Sequence, residues 1–198
     1  MNTTTLILAS SSPYRRQLLE KLGLPFRQIA ADIDERPQAG ETPQALAARL
    51  ARQKAEAVAA RLSSPALVIA SDQLAVLDQQ ILGKPGNHQR ATEQLSACSG
   101  RTVSFLTSLC LWQHPGGSHQ LDVVPFSVRF RHLSARHIDN YLQREQPYDC
   151  AGSFKAEGLG IALFEEMNGS DINSLVGLPL IRLVDMLATA GVDVLGPT

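Results

Sequence analysis

The residues best able to do chemistry lie in short polar clusters between apolar runs. The first cluster is Ser10-Ser11-Ser12-Pro13-Tyr14-Arg15-Arg16. It follows the apolar run Leu6–Ala9 and opens a helix, since Ser12 suits an N-cap and Pro13 the first helical position. A helix N-terminus presents backbone N–H groups and a dipole that favours anions. Serine hydroxyls add donors, and arginine forks match phosphate geometry. Two cations at that end oppose the dipole unless an anion lies between them. The cluster reads either as a phosphate site or as a plain cap followed by solvated arginines.

Carboxylates form the second set. Asp32, Asp34 and Glu35 share one short stretch, and Asp72 ends the apolar run Leu67–Ala70, where open α/β sheets place their ligands. Acids from separate segments suit a hard divalent cation such as Mg²⁺ or Mn²⁺, which neutralises phosphate charge and activates water. The alternatives are a solvated loop for Asp34-Glu35 and a cap or turn for Asp72. Lys84 is framed by Gly83 and Pro85 on a stiff loop. Lys54 falls on the same line of four-residue steps as Leu46, Leu50, Val58 and Leu62, so it either reaches an anion or snorkels to water. Lys155 lies in the glycine-flanked run Gly152–Gly158.

Other chemistries find less support. His132 and His137 lie five apart across a strand–helix boundary, a poor metal spacing, and His88, His114 and His119 sit in polar turns. No Walker A loop or GxSxG elbow is present, and no Cys/His pairing suggests a covalent nucleophile. The combination of phosphate donors, lysines and acids fits hydrolysis of a phosphoanhydride by activated water.

The elements that must position these groups alternate in type. Strands are expected at Leu6–Ala9, within Gln28–Glu35, at Leu67–Ala70 with continuation over Leu74–Leu77, at Val103–Trp112, at Val123–Leu133 and at Ile161–Phe164. Val124, Phe126, Val128 and Phe130 alternate with polar residues, while Pro125 argues for an edge or a bulge. Helices are expected after Ser12, from Pro43 to about Leu62, after Asn87, after Ser134, and over Leu178–Ala190. A hairpin turning at His114–Gly117 interrupts the alternation and favours an α/β fold with a mixed sheet flanked by helices.

The 198 residues carry 44% hydrophobic and 19% charged residues, as expected for one folded domain over 1–198. A net charge of −1 argues against a general affinity for nucleic acid or anionic membrane. Cys98, Cys110 and Cys150 form no CxxC pair, so reduced thiols and a cytoplasmic location are expected. No apolar run suits a signal peptide or a membrane span.

The ordered set of motifs resembles the Maf-like nucleotide pyrophosphatases along nearly the whole chain. The match comprises Leu6–Arg16, Ile33-Asp34-Glu35, Arg52-Gln53-Lys54-Ala55, Ser71-Asp72-Gln73, Gly83-Lys84-Pro85 and Val176-Gly177-Leu178-Pro179. The resemblance implies an elongated mixed sheet split by a cleft between two lobes, similar to inosine-triphosphate pyrophosphatases. It implies a divalent cofactor (Mg, Mn or Co) and a small-molecule nucleotide substrate, with a homodimer as a compatible assembly. By position it assigns phosphate binding to Ser11, Arg15, Lys54 and Lys84, metal binding to Glu35 and Asp72, and the general base to Asp72.

Ser71-Asp72-Gln73, read with Cys150–Gly158, resembles the branch that hydrolyses 7-methyl-GTP. There the selectivity positions correspond to Tyr14, Gln73 and Glu157. The dTTP/UTP branch has Thr after the aspartate, a basic residue in place of Tyr14 and Gln in place of Glu157. One departure is visible, because tryptophan is common in the 7-methyl-GTP branch where this chain has Tyr14. The rival expectations are dTTP/UTP hydrolysis and a non-catalytic nucleotide-binding regulator of cell division.

Overall fold

The first apolar run forms a strand, β1 (Thr5–Leu8), buried from Leu6 onward. A computed structural model describes residues 5–196 of the chain. After β1 come α1 (Pro13–Glu20), β2 (Phe26–Gln28), α2 (Pro43–Ala59), β3 (Ala66–Leu77), β4 (Gln80–Leu82) and α3 (His88–Cys98). A long hairpin of β5 (Thr102–His114) and β6 (His119–Phe130) follows. Then come α4 (Ala135–Glu145), β7 (Phe164–Asn168), α5 (Ile172–Val176) and α6 (Leu180–Thr189). The four N-caps are side-chain oxygens that accept a backbone N–H three residues on: Ser12, Thr42, Asn87 and Ser134 for α1 to α4.

The sheet is mixed, in the order β2-β1-β3-β5-β6-β7, with β4 also paired to β3. β1 runs parallel to β2 and β3, and the remaining pairs are antiparallel. Alternation along β1 and β3 sends side chains into two cores. Leu6, Leu8, Leu67 and Ile69 pack with α1 and α6, while Ile7, Ala9, Val68 and Ala70 pack with α2. Ala51, Ala55 and Ala59 are wholly or nearly buried and let α2 lie close to the strands. A third core around Phe105, Phe126, Phe130, Phe154 and Phe164 joins the far ends of β3, β5 and β6 to α3 and α4. The expected mixed α/β architecture is therefore present.

Four expectations need correction, and one is that the strand expected at Val123–Leu133 runs from His119 to Phe130, because β5 pairs with it from His119 onward. The strand expected within Gln28–Glu35 ends at Gln28, because β2 pairs with β1 and β1 stops at Leu8. Asp72 does not end its strand: β3 is continuous because β5 pairs with it from Ala66 to Val76. The strand expected at Ile161–Phe164 begins only at Phe164. Before it, the N–H groups of Gly158 and Gly160 both bond to the Lys155 carbonyl and hold residues 158–163 in tight turns. A Cβ at Gly160 would collide with that carbonyl. Pro125 sits where β6 has no outer neighbour among the described residues, since β7 pairs only from Ser127 to Phe130.

One feature of β3 positions the site. Along one edge it pairs with β1 as far as Ile69 and with β4 from Ala75 onward. No strand among the described residues lies beside 70–74 on that edge. The gap opens where the parallel strand β1 ends and the chain turns into Ser10–Ser12, the kind of crevice in which α/β sheets bind ligands.

Candidate active site

Asp72 lies in this gap, and its backbone is held on the opposite edge. Its N–H donates to Ser108 Oγ at 3.1 Å, and the Ser108 hydroxyl donates back to its carbonyl at 3.1 Å. The side chain points to α2, where Lys54 waits on the apolar stripe. Lys54 Nζ donates to Asp72 Oδ1 at 2.5 Å and pairs with Glu35 Oε1 at 2.7 Å. Lys54 and Asp72 are each only 7% exposed, whereas the Glu35 side chain is 60% exposed. Lys54 thus reaches anions rather than snorkelling, which explains a charge on that stripe.

The first turn of α1 forms the facing wall. Ser12 N–H donates to Ser10 Oγ at 3.1 Å and Arg15 N–H to Ser12 Oγ at 3.3 Å, so two of the three hydroxyls brace the turn itself. Ser11 stays exposed in the cavity. Arg15 is half-buried and donates through Nε to the Gly177 carbonyl at 2.9 Å, leaving its Nη groups for another anion. Burial lowers its pKa from the ordinary arginine range, while the charges of Asp72 and Glu35 oppose that shift. Arg16 turns away to pair with Glu20.

A cavity of about 610 Å³ joins these groups, a size that accommodates a nucleotide. Ser11, Tyr14, Arg15, Glu35, Lys54, Asp72, Gln73, Lys84 and Glu157 all line it. The nine residues that the family resemblance assigned to the site are therefore brought together here. Asp34, by contrast, pairs outward with Arg36 at 2.6 Å. Lys155 is spent on the Glu145 carbonyl at 3.3 Å, and its N–H on the Tyr141 hydroxyl at 3.1 Å. Gln73 Nε2 is occupied by Ser174 O, Leu175 O and Thr107 Oγ1 at 2.8, 3.0 and 3.0 Å.

Sequence reading missed Asp149 and gave Cys150 no role beyond opening the Cys150–Gly158 segment, yet both line the cavity with Tyr14 and Glu157. The Tyr14 hydroxyl is pushed up to about 12, first by burial and then by the charges of Cys150, Asp149 and Glu157. Burial likewise pushes the Cys150 thiol up to about 12, helped by Asp149, so it is neutral at pH 7. The field at Tyr14 therefore comes from the carboxylates Asp149 and Glu157, and it favours a cation. No sequence signal links Asp149 to Tyr14, because their approach is made only by the fold.

The metal reading meets a simple test. Among the described residues no group of three or more His, Cys, Asp or Glu could hold a metal ion. Glu35 and Asp72, both bonded to one ammonium, nevertheless supply two converging hard oxygen donors. That set fits a Mg²⁺-like ion that takes its remaining ligands from substrate phosphates and water.

Comparison with known proteins adds kinship to this geometry. A family model described as Maf-like protein matches residues 5–190. A curated 7-methyl-GTP pyrophosphatase of Nitrosococcus oceani is 60% identical over 96% of this chain and 96% of its own. Those of Pseudomonas syringae pv. tomato and Pseudomonas aeruginosa are 57% and 56% identical, each over 96% of this chain and 98% of their own. A solved nucleoside-triphosphatase, dITP/XTP pyrophosphatase, of Mycobacterium abscessus aligns over 95% of this chain and 97% of its own at 14% identity and TM-score 0.46.

Proposed function

We infer the activity from a plain premise: the chain belongs to the Maf-like protein family. It is a nucleoside triphosphate pyrophosphatase that hydrolyses 7-methyl-GTP to 7-methyl-GMP and diphosphate, acting as one domain in the cytoplasm. No helix among the described residues is long and apolar enough to cross a membrane. The observation that carries the reading is the convergence of Lys54, Asp72 and Glu35 opposite the α1 N-terminus in one cavity.

Arg15 and Lys84 grip the triphosphate, with Ser11 and the α1 N-terminus donating to its oxygens. Lys54 turns from its carboxylates toward the phosphates and balances charge as the anhydride breaks. Asp72 takes the proton of a water that attacks the α-phosphorus, and pyrophosphate leaves. Glu35 and Asp72 would hold a divalent cation, which when bound would neutralise phosphate charge and acidify water. Asp72 is suited to its task by a backbone whose N–H and carbonyl are both held by the Ser108 hydroxyl.

The base reading rests on the wall around Tyr14. Methylation at N7 makes guanine cationic. The aromatic face of Tyr14 stacks on that cation, and Glu157 accepts from the N1–H and 2-amino edge. The second carboxylate, Asp149, deepens the same negative field.

The test is pyrophosphate release from 7-methyl-GTP, GTP, dTTP, UTP and CTP, with Mg²⁺ or Mn²⁺ and with EDTA. We expect metal-dependent turnover with 7-methyl-GTP preferred, and loss of nearly all turnover in Asp72→Asn. Preference for dTTP or UTP would keep the chemistry and overturn the base reading. Nucleotide binding without hydrolysis would point instead to a regulator.

A further inference from the structure

Ser71 and Gln73 flank Asp72 on β3 but point to the opposite face of the sheet, toward α5. Ser71 is fully buried and donates through Oγ to the Gly177 carbonyl at 2.9 Å. Arg15 Nε donates to that same oxygen at 2.9 Å. Two donors from distant segments thus meet on one main-chain acceptor. Gly177 takes φ +126°, and a Cβ there would stand 3.4 Å from Arg15 Nε. Glycine at this position therefore lets the backbone come close to the guanidinium.

Gln73 secures the segment that carries this carbonyl. Its Nε2 lies 2.8 Å from Ser174 O and 3.0 Å from Leu175 O. Only an amide nitrogen can face two carbonyl oxygens, so the orientation of the side chain follows. Thr107 Oγ1 accepts from the same nitrogen at 3.0 Å and donates to Ser174 O at 2.8 Å. The five-residue α5 is thus tied to β3 and β5 by side-chain bonds. The Gln73 NH₂ group, with both hydrogens committed, has nothing left to donate to a base.

We propose that Ser71 and Gln73 are positioning residues that fix α5 and the Gly177 carbonyl, and through that carbonyl aim Arg15 at the triphosphate. The proposal rests on the pyrophosphatase reading and gives the Gln73 amide nitrogen a part in setting the rate. A guanidinium held at Nε presents its two Nη groups as a fixed fork, whereas a free one swings. Misplacing a reacting group or its clamp by about 1 Å can cost about 10²-fold in rate.

The experiment pairs kinetics with a spectroscopic readout on Ser71→Ala and Gln73→Ala. Should Gln73→Ala fail to fold, Gln73→Met fills the same space without the donors. In wild type the Arg15 Nε–H resonance should be protected from exchange with water, and in each variant exchange should speed up. Turnover should fall about tenfold with both 7-methyl-GTP and GTP, leaving their kcat/KM ratio within about twofold of wild type. A ratio that shifts about tenfold while the Nε–H signal stays protected would show that Gln73 reads the base, and would overturn the proposal. Should wild type release pyrophosphate from no nucleotide, the functional reading fails. The Arg15 signal then still judges the bracket: protection lost in the variants supports it, and protection unchanged overturns it.

Discussion

Lys54→Met tests the centre of the site most directly. Methionine keeps the apolar stem but removes the ammonium. Glu35 loses a partner at 60% side-chain exposure, where water replaces it at little cost. Asp72 is 7% exposed and loses the cation held at 2.5 Å, which strands a carboxylate in a poorly hydrated place. Breaking such a pair from one side costs about 3–5 kcal/mol. For a chain of this size each kcal/mol moves the melting temperature by about 2–4 °C, so a fall of roughly 10 °C is expected. The double variant Lys54→Met/Asp72→Asn removes the stranded charge and should regain more than half of that loss, while both variants stay inactive. Circular-dichroism melts at neutral pH and pyrophosphate release measure the two effects. A double variant that melts no higher than Lys54→Met alone would refute the argument. So would a single variant that melts within about 2 °C of wild type.

Two further outcomes follow from the walls and the surface. Tyr14→Trp should lower KM for 7-methyl-GTP several-fold relative to GTP, since the larger ring strengthens a cation–π contact worth about 0.5–2 kcal/mol; an unchanged ratio would remove stacking from base recognition. Glu41 is held down to about 2, chiefly by hydrogen bonds from Arg49. Its folded pKa lies below the ordinary 4.5, so it contributes stability that is present above about pH 4.5 and lost as pH falls toward 2. Glu41→Gln should therefore be less stable than wild type at neutral pH, and the gap should narrow through that window. A gap that stays constant across it would assign the loss to something other than charge.

How far the site could be read depended on whether a residue's partners were local. Lys54 stood out because a charge on an apolar helical stripe must either reach an anion or snorkel to water, and Asp72 and Glu35 supply the anions. Ser12-Pro13 placed the start of α1 because caps and prolines act within a turn. Asp72 itself was misplaced at a strand end, since Ser-Asp-Gln looks like a break until β5 is laid beside it. The Ser108 bonds that hold its backbone have no local signature. β4 and α5 are too short for any period to show. Asp149 joined the site through a fold-level approach to Tyr14 that spacing does not encode.

The unbroken ladder under Asp72 also bears on how such a protein can change over generations. The carboxylate proposed to react stands on a strand paired along nearly its whole length, and altering that strand disturbs three cores at once. Tyr14, Asp149 and Glu157 stand instead on a helix end and on irregular segments, where substitution disturbs little else. Descendants of one ancestor can therefore inherit the hydrolytic floor unchanged and acquire new tastes in nucleobases through a few exchanges at the rim.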